Sequence, residues 1–175
     1  MIFKGKHGLF IIAAATIMWA SCNDTPVIQP AEVPDIKENL INANKYIAHS
    51  EETSIDGYVA RRHWQMQRLT CGARYTELSI DNNGASSAKP ITYEDTVTIH
   101  YDIETLTGTM LYKDESETVV VGRNEVPVGL DAVLRQLHHG SNAIVIVPSE
   151  AGYGVRGDGD RIPSRTILLY HLHID

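Results

Sequence analysis

The sequence predicts an α+β fold, an antiparallel β-sheet packed on one amphipathic helix and preceded by a helical segment. Three observations carry that expectation. Strand-like alternation begins at Arg74 and recurs to the C-terminus. One stretch in that half, Gly129 to Leu137, repeats apolar residues at helical spacing through Leu130, Val133, Leu134 and Leu137. A second helical pattern lies before Arg74, on the other side of Gly72. Strands with short turns and a single helix favour an antiparallel sheet that covers one face with that helix.

The strands are read in order. Arg74-Tyr-Thr-Glu-Leu-Ser-Ile80 alternates and runs into the turn signal Asp81-Asn-Asn-Gly84. Val97, Ile99, Tyr101 and Ile103 share one face of a long strand that Thr107-Gly108 ends. Glu117 to Val121 is a further strand, stopped by Gly122. The helix is stopped by Gly140, and Ala143 to Val147 and Thr166 to Ile174 close the sheet.

Before Arg74 the chain reads as two helices. Asp35-Ile-Lys-Glu38 has the form of a capping box, and Ile36, Leu40, Ala43 and Ile47 follow on one face of a helix over 36–49. A second helix is expected over about 52–67, weakened by Gly57. The two could pack on their own domain or form a homodimer interface through 35–67; the first is favoured.

The N-terminus reads as an export signal. Lys4 and Lys6 precede an apolar run of 13 residues from Gly8 to Ala20, too short for a bilayer core that needs ~20. Ala20 and Ser21 then stand before Cys22. Small residues before a cysteine resemble the bacterial lipoprotein signal, whose cleavage exposes that cysteine for acylation; Trp19 departs from the usual aliphatic residue. An ordinary secretory signal, with no special role for Cys22, is the alternative. With Cys22 acylated, Cys71 is the one remaining cysteine and no intramolecular disulfide forms, although a Cys22–Cys71 bridge stays open. Cys71 itself reads as a small, mostly buried residue. Pro26, Pro30 and Pro34 keep the next stretch extended, as a spacer. The expected organisation is therefore signal over 1–21, lipidated cysteine and linker over 22–34, helical segment over 35–72 and sheet domain over 73–175.

Charge and motifs exclude several functions. The formal charge is −7 and every acid lies beyond residue 21, which argues against nucleic acid as a partner. His138-His139 and His171-Leu-His173 have no Cys or carboxylate set at a matching spacing, so no metal site is expected. Gly157-Asp-Gly-Asp160 lacks the later positions of a calcium loop and reads as a turn. No cofactor is implied, and neither a phosphate loop nor a Ser/His/Asp motif is visible.

The order of motifs over about 95–175 resembles the FK506-binding protein family of peptidyl-prolyl isomerases. It runs from Val97-Thr-Ile-His-Tyr101 through Gly108, Val121-Gly122 and Val126-Pro-Val-Gly-Leu130. It continues with Ile146-Val-Pro-Ser-Glu-Ala-Gly-Tyr-Gly154 and ends with Ile162-Pro-Ser-Arg-Thr-Ile-Leu-Leu-Tyr170. With Tyr58, Arg62, Trp64 and Tyr75 included, the chain is also similar to exported isomerase-like lipoproteins of Bacteroidetes, including the gliding-motility branch.

The resemblance implies the FK506-binding-protein fold and an apolar cup for proline. Tyr101, Leu111, Val126, Pro127 and Leu130 (the floor) would form the cup, and Tyr153, Ile162 and Tyr170 would close it. The Tyr153 hydroxyl would donate to a substrate carbonyl. Active members usually carry Phe-Asp where this chain has Leu111-Tyr112, a Trp at Leu130 in the best-known members, and an aromatic near Glu117. The implied function is isomerisation of X-Pro bonds in proline-containing exported polypeptides, by a protein lipid-anchored in the cell envelope. The same cup in a non-catalytic binding module is the alternative.

Overall fold

The computed structural model describes residues 36–80 and 89–175. The signal segment, Cys22, the proline-containing linker, the Asp35 cap and the Asp81-Gly84 turn lie outside the described residues. The described residues belong to one compact unit.

The order of elements is α1 (Ile36–Arg61), β1 (Gln67–Arg68), β2 (Arg74–Ile80), β3 (Thr96–Thr105), β4 (Met110–Val120), α2 (Val128–Leu134), β5 (Ser141–Val147) and β6 (Leu168–Ile174). The strands form one antiparallel sheet in the order β1-β2-β5-β6-β3-β4. The expected α+β architecture is therefore present.

The sheet is covered on both sides where β5, and β6 at Leu169, are apolar on both faces. Ala143, Val145 and Val147 of β5, with Leu168, Tyr170, Leu172 and Ile174 of β6, turn to the side of α2. There they meet Leu130, Val133 and Leu134 of that helix. Ile144, Ile146 and Leu169 point the other way and are covered by Ile55 and Tyr58 of α1. A continuous apolar run such as Ala-Ile-Val-Ile-Val is what a strand buried on both faces requires.

Three expectations are corrected. The two helices before Arg74 are one, a 26-residue α1 with Gly57 inside it. Gly57 sits where the helix already packs on the sheet, and such packing outweighs the ~1 kcal/mol propensity penalty of glycine. The stretch from Arg62 to Ala73 is not helical; it turns back and forms the edge strand β1. The strand placed at Glu117–Val121 is the end of an 11-residue β4. Its first half carries no apolar alternation because β4 is an edge strand, with charges at Lys113, Asp114 and Glu115. A bulge interrupts its pairing with β3, where Asp114 takes φ 54° and its N–H donates to Asp102 Oδ1 at 2.7 Å.

The N-terminal half of α1 does not bury its apolar residues. Ile36, Leu40, Ile41 and Tyr46 are all exposed. The C-terminal half is tied to the sheet domain by polar contacts as well as by packing. Arg74, buried, pairs with Asp56, and Glu51 accepts from both the Ser149 N–H (2.9 Å) and the Ser149 hydroxyl.

Candidate active site

The predicted site residues arrive from five places in the chain. β3 brings Tyr101 on the face it shares with Ile99 and Ile103. β4 brings Leu111 just after the hairpin turn, where Gly108 takes φ 84°. Val126 and Pro127 lie at the entry to α2. Pro127 is its N-cap residue, where a missing N–H is no loss, and Leu130 is in the first turn. The segment after β5 supplies Tyr153 and Ile162, and β6 supplies Tyr170.

These side chains converge on the core under α2. Val126, Leu130, Ile162 and Tyr170 are buried members of that cluster, and Tyr101, Leu111, Tyr112 and Tyr153 are half-buried against it. Pro127 is half-buried beside them at the head of α2. Tyr101 and Tyr170 meet edge to face, ring centroids 6.0 Å apart, an arrangement that aromatic quadrupoles favour. A separate cleft of about 410 Å³ lies between α1 and the turn after β5, lined by Ile47, Ile55, Arg74, Pro148, Ser149 and Val155 among others. None of the predicted site residues lines it.

The tyrosines stay protonated. Burial raises the pKa of Tyr101, and the carboxylate of Glu117 beside its hydroxyl raises it further. Burial likewise raises Tyr153, with smaller contributions from Glu117 and Asp158. Tyr170 is pushed well up by burial and by the neighbouring Tyr153 and Tyr101. Its hydroxyl is fully enclosed and has no hydrogen-bond partner of good geometry, though Tyr153 lies alongside. At neutral pH the site therefore presents phenol donors rather than phenolates.

The segment from Tyr153 to Ile162 is shaped by one carboxylate. Asp158 Oδ1 accepts from the N–H groups of Asp160 (2.9 Å) and Ile162 (2.8 Å), while Oδ2 accepts from the Tyr112 hydroxyl. Gly157 is required there: at φ 69° a Cβ would overlap the Ile162 carbonyl. The guanidinium of Arg161 lies over the Tyr112 ring at 5.0 Å from its centroid. The Gly157–Asp160 stretch is thus a turn, and one whose acid holds Ile162 in place.

Two residues of the site were not expected. Asp158 carries no motif beyond its glycine neighbours, and its partner Tyr112 is 46 positions away. Glu117 was visible only as a missing aromatic. Its inward position follows from alternation with Val119 and Val121 once β4 is known to continue back to Met110. Among the described residues no His, Cys, Asp or Glu group is arranged to hold a metal ion.

The antiparallel sheet wraps on a short helix, and the site residues gather between the two. Residues 87–175 match the sequence profile of the FKBP-type peptidyl-prolyl cis-trans isomerases, half of the chain. The human peptidyl-prolyl cis-trans isomerase FKBP9 is 29% identical over 79 residues, which are 43% of this chain and 14% of that one. The chain thus spans only a small part of the length of that relative. An FK506-binding protein of Neisseria meningitidis is 29% identical over 82 residues, 45% of this chain and 75% of the relative. In architecture the chain is similar to a peptidyl-prolyl cis-trans isomerase from Pseudomonas syringae, with a TM-score of 0.55 at 19% identity, covering 72% of this chain and 92% of that one. The chain belongs to the FKBP-type peptidyl-prolyl cis-trans isomerase family.

Proposed function

We propose that this chain is a peptidyl-prolyl cis-trans isomerase that assists folding of exported, proline-containing polypeptides. The observation that carries the reading is the convergence of Tyr101, Leu130, Tyr153, Ile162 and Tyr170 on one apolar cluster. An X-Pro bond is held by amide resonance behind a barrier of ~18–20 kcal/mol, and crossing it needs no nucleophile, metal or base. An apolar cup that excludes water favours the twisted amide, which carries less resonance charge than either planar form. Leu130 and Ile162 supply the enclosure, and the Tyr153 hydroxyl, held protonated by burial, donates to a substrate carbonyl.

The N-terminal pattern supports export and lipid anchoring at Cys22. The protein would then work from a membrane of the cell envelope, on its periplasmic or outer-membrane face. Pairing of two copies through 35–67 remains part of the proposal, with the apolar residues of the first half of α1 as its surface.

A second reading is favoured by the Tyr112–Asp158 hydrogen bond. A site whose Tyr112 and Asp158 are engaged with each other suits a module that holds proline-containing segments without turning them over. A proline-limited refolding assay on residues 23–175 separates the two. Acceleration above the uncatalysed rate supports the isomerase. No acceleration, with retained binding of a proline peptide, leaves the binding module.

A further inference from the structure

β4 carries an acid on its inner face. Residues directly opposite in an antiparallel pair share a face of the sheet, and Glu117 stands opposite Ile99, which is fully buried in the core under α2. Val119, two positions on and therefore on the same face, is buried in that core too. Glu117 is half-buried itself, yet among the described residues no Lys, Arg or His forms an ion pair with it.

Phenols surround it instead. The Tyr101 hydroxyl lies beside the carboxylate, and the Tyr153 and Tyr170 hydroxyls are close enough to feel its charge. The Tyr170 hydroxyl, on a residue 1% exposed, is enclosed alongside Tyr153 with no hydrogen-bond partner of good geometry. A carboxylate removed from water without a cation is unfavourable, so a position of this kind is suited to one brought from outside. Aromatic ring faces and a carboxylate together recognise ammonium and guanidinium groups, the first through the ring quadrupole and the second through charge-assisted hydrogen bonds. Glu115 reinforces the choice, since it stands opposite Tyr101 on the same face of β4. Arg161, beside Ile162 in the chain, is engaged with the Tyr112 ring and Asp160.

We propose that Glu117, with the rings of Tyr101 and Tyr153, forms a cation subsite in the wall of the prolyl cup. The chain then selects proline segments that carry Lys or Arg next to the proline. The inference rests on the reading of the cup as the peptide site.

The test uses the full chain and short proline peptides with Lys, norleucine or Glu immediately before or after the proline. Norleucine keeps the apolar stem of Lys and removes its charge. At low salt the parent should prefer Lys over norleucine, at one of the two positions, by about two- to five-fold in kcat/KM, the range of a partly solvated ion pair. Glu117→Gln should bring that ratio to about one. High salt should shrink it in the parent as well, a measurement that needs no variant. A ratio near one at both positions, or one that Glu117→Gln leaves unchanged, overturns the subsite. If the parent accelerates none of the peptides, the isomerase reading fails by itself. Fluorescently labelled forms of the same peptides then decide the subsite by their Kd ratio, where equal affinity for Lys and norleucine overturns it.

Discussion

Tyr112 and Asp158, 46 positions apart, are joined by a hydrogen bond from the phenol to the carboxylate, and that carboxylate also holds the Ile162 N–H. The position where the family resemblance implies an acid is therefore occupied by the donor to a different acid. Restoring an acid at this position is not a simple repair. Tyr112→Asp alone sets two carboxylates against each other and removes the donor, so it should loosen the 157–162 turn and give no gain in isomerase activity. Tyr112→Asp combined with Asp158→Asn keeps one acid and one donor, and should exceed the single variant several-fold in kcat/KM. Proline-limited refolding rates of the two variants, compared side by side, check the prediction. A single variant as active as the double would show that the pair does not shape the site.

The floor and the donor of the cup should separate by magnitude. Leu130 is 1% exposed, so Leu130→Ala removes core contacts as well as the seat for the proline ring. A stability loss of ~2–5 kcal/mol is expected from denaturant titration, with a large fall in kcat/KM. Tyr153→Phe removes one hydrogen bond, worth ~0.5–1.5 kcal/mol net, and should slow catalysis several-fold while stability changes little. Equal effects of the two substitutions on activity would argue against enclosure as the main source of catalysis.

The second half of α1 should behave as part of the sheet domain. Ile55 is 1% exposed and, with Tyr58, covers Ile144, Ile146 and Leu169. Ile55→Ala should cost ~2–5 kcal/mol, whereas Leu40→Ala in the exposed first half should change stability by less than ~0.5 kcal/mol. A fragment from residue 74 onward should bind hydrophobic dyes through the uncovered face. A cooperative, dye-free transition for that fragment, matching the whole chain, would contradict this.

The sequence pattern reached the sheet domain because alternation and helical spacing are local signals. Val97, Ile99, Tyr101 and Ile103 announce β3 by their period, and Leu130, Val133 and Leu134 announce α2. β4 was legible only in its last residues, since its exposed start breaks alternation with charge. The continuity of α1 was hidden by Gly57, whose penalty is overcome by packing against Ile144 and Ile146, partners nearly 90 positions away. The cup residues were legible through their resemblance to a family, not through chemistry of their own: an isolated Tyr or Leu in a sheet reads as core. The Tyr112–Asp158 bond and the inward Glu117 depend on strand register and on the path of a turn, which no local pattern encodes.

Anchoring is tested apart from the fold, since Cys22 lies outside the described residues. Small residues before Cys22 and prolines after it suit cleavage, acylation and an extended tether. Cys22→Ala should move the protein from the membrane fraction to the soluble fraction after export. Unchanged fractionation and gel mobility would remove the lipoprotein reading and leave the isomerase domain untouched.

The Tyr112–Asp158 pair also sets a pH window for the turn that holds Ile162. For Asp158, partial burial works to raise the carboxyl, but hydrogen bonds from Tyr112 and from the Asp160 and Ile162 N–H groups outweigh it and leave the pKa lowered. A lowered folded pKa means that its contribution is present above the ordinary value of about 3.9 and is lost as pH falls through the folded value. Tyr112 is displaced in the other direction, chiefly by its bond to Asp158, to about 12. Its contribution is complete below the ordinary tyrosine value of about 10 and is lost as pH rises toward about 12. The turn should therefore be most ordered between about pH 5 and 9 and loosen at both ends. Carbon-13 shifts of the Asp158 carboxyl and the Tyr112 phenol carbon report the two titrations directly. In Tyr112→Phe the Asp158 midpoint should move up toward the ordinary range, because the largest of its stabilising hydrogen bonds is gone. An unmoved midpoint would mean that the backbone N–H groups alone hold the carboxylate, and that Tyr112 is a bystander to the turn.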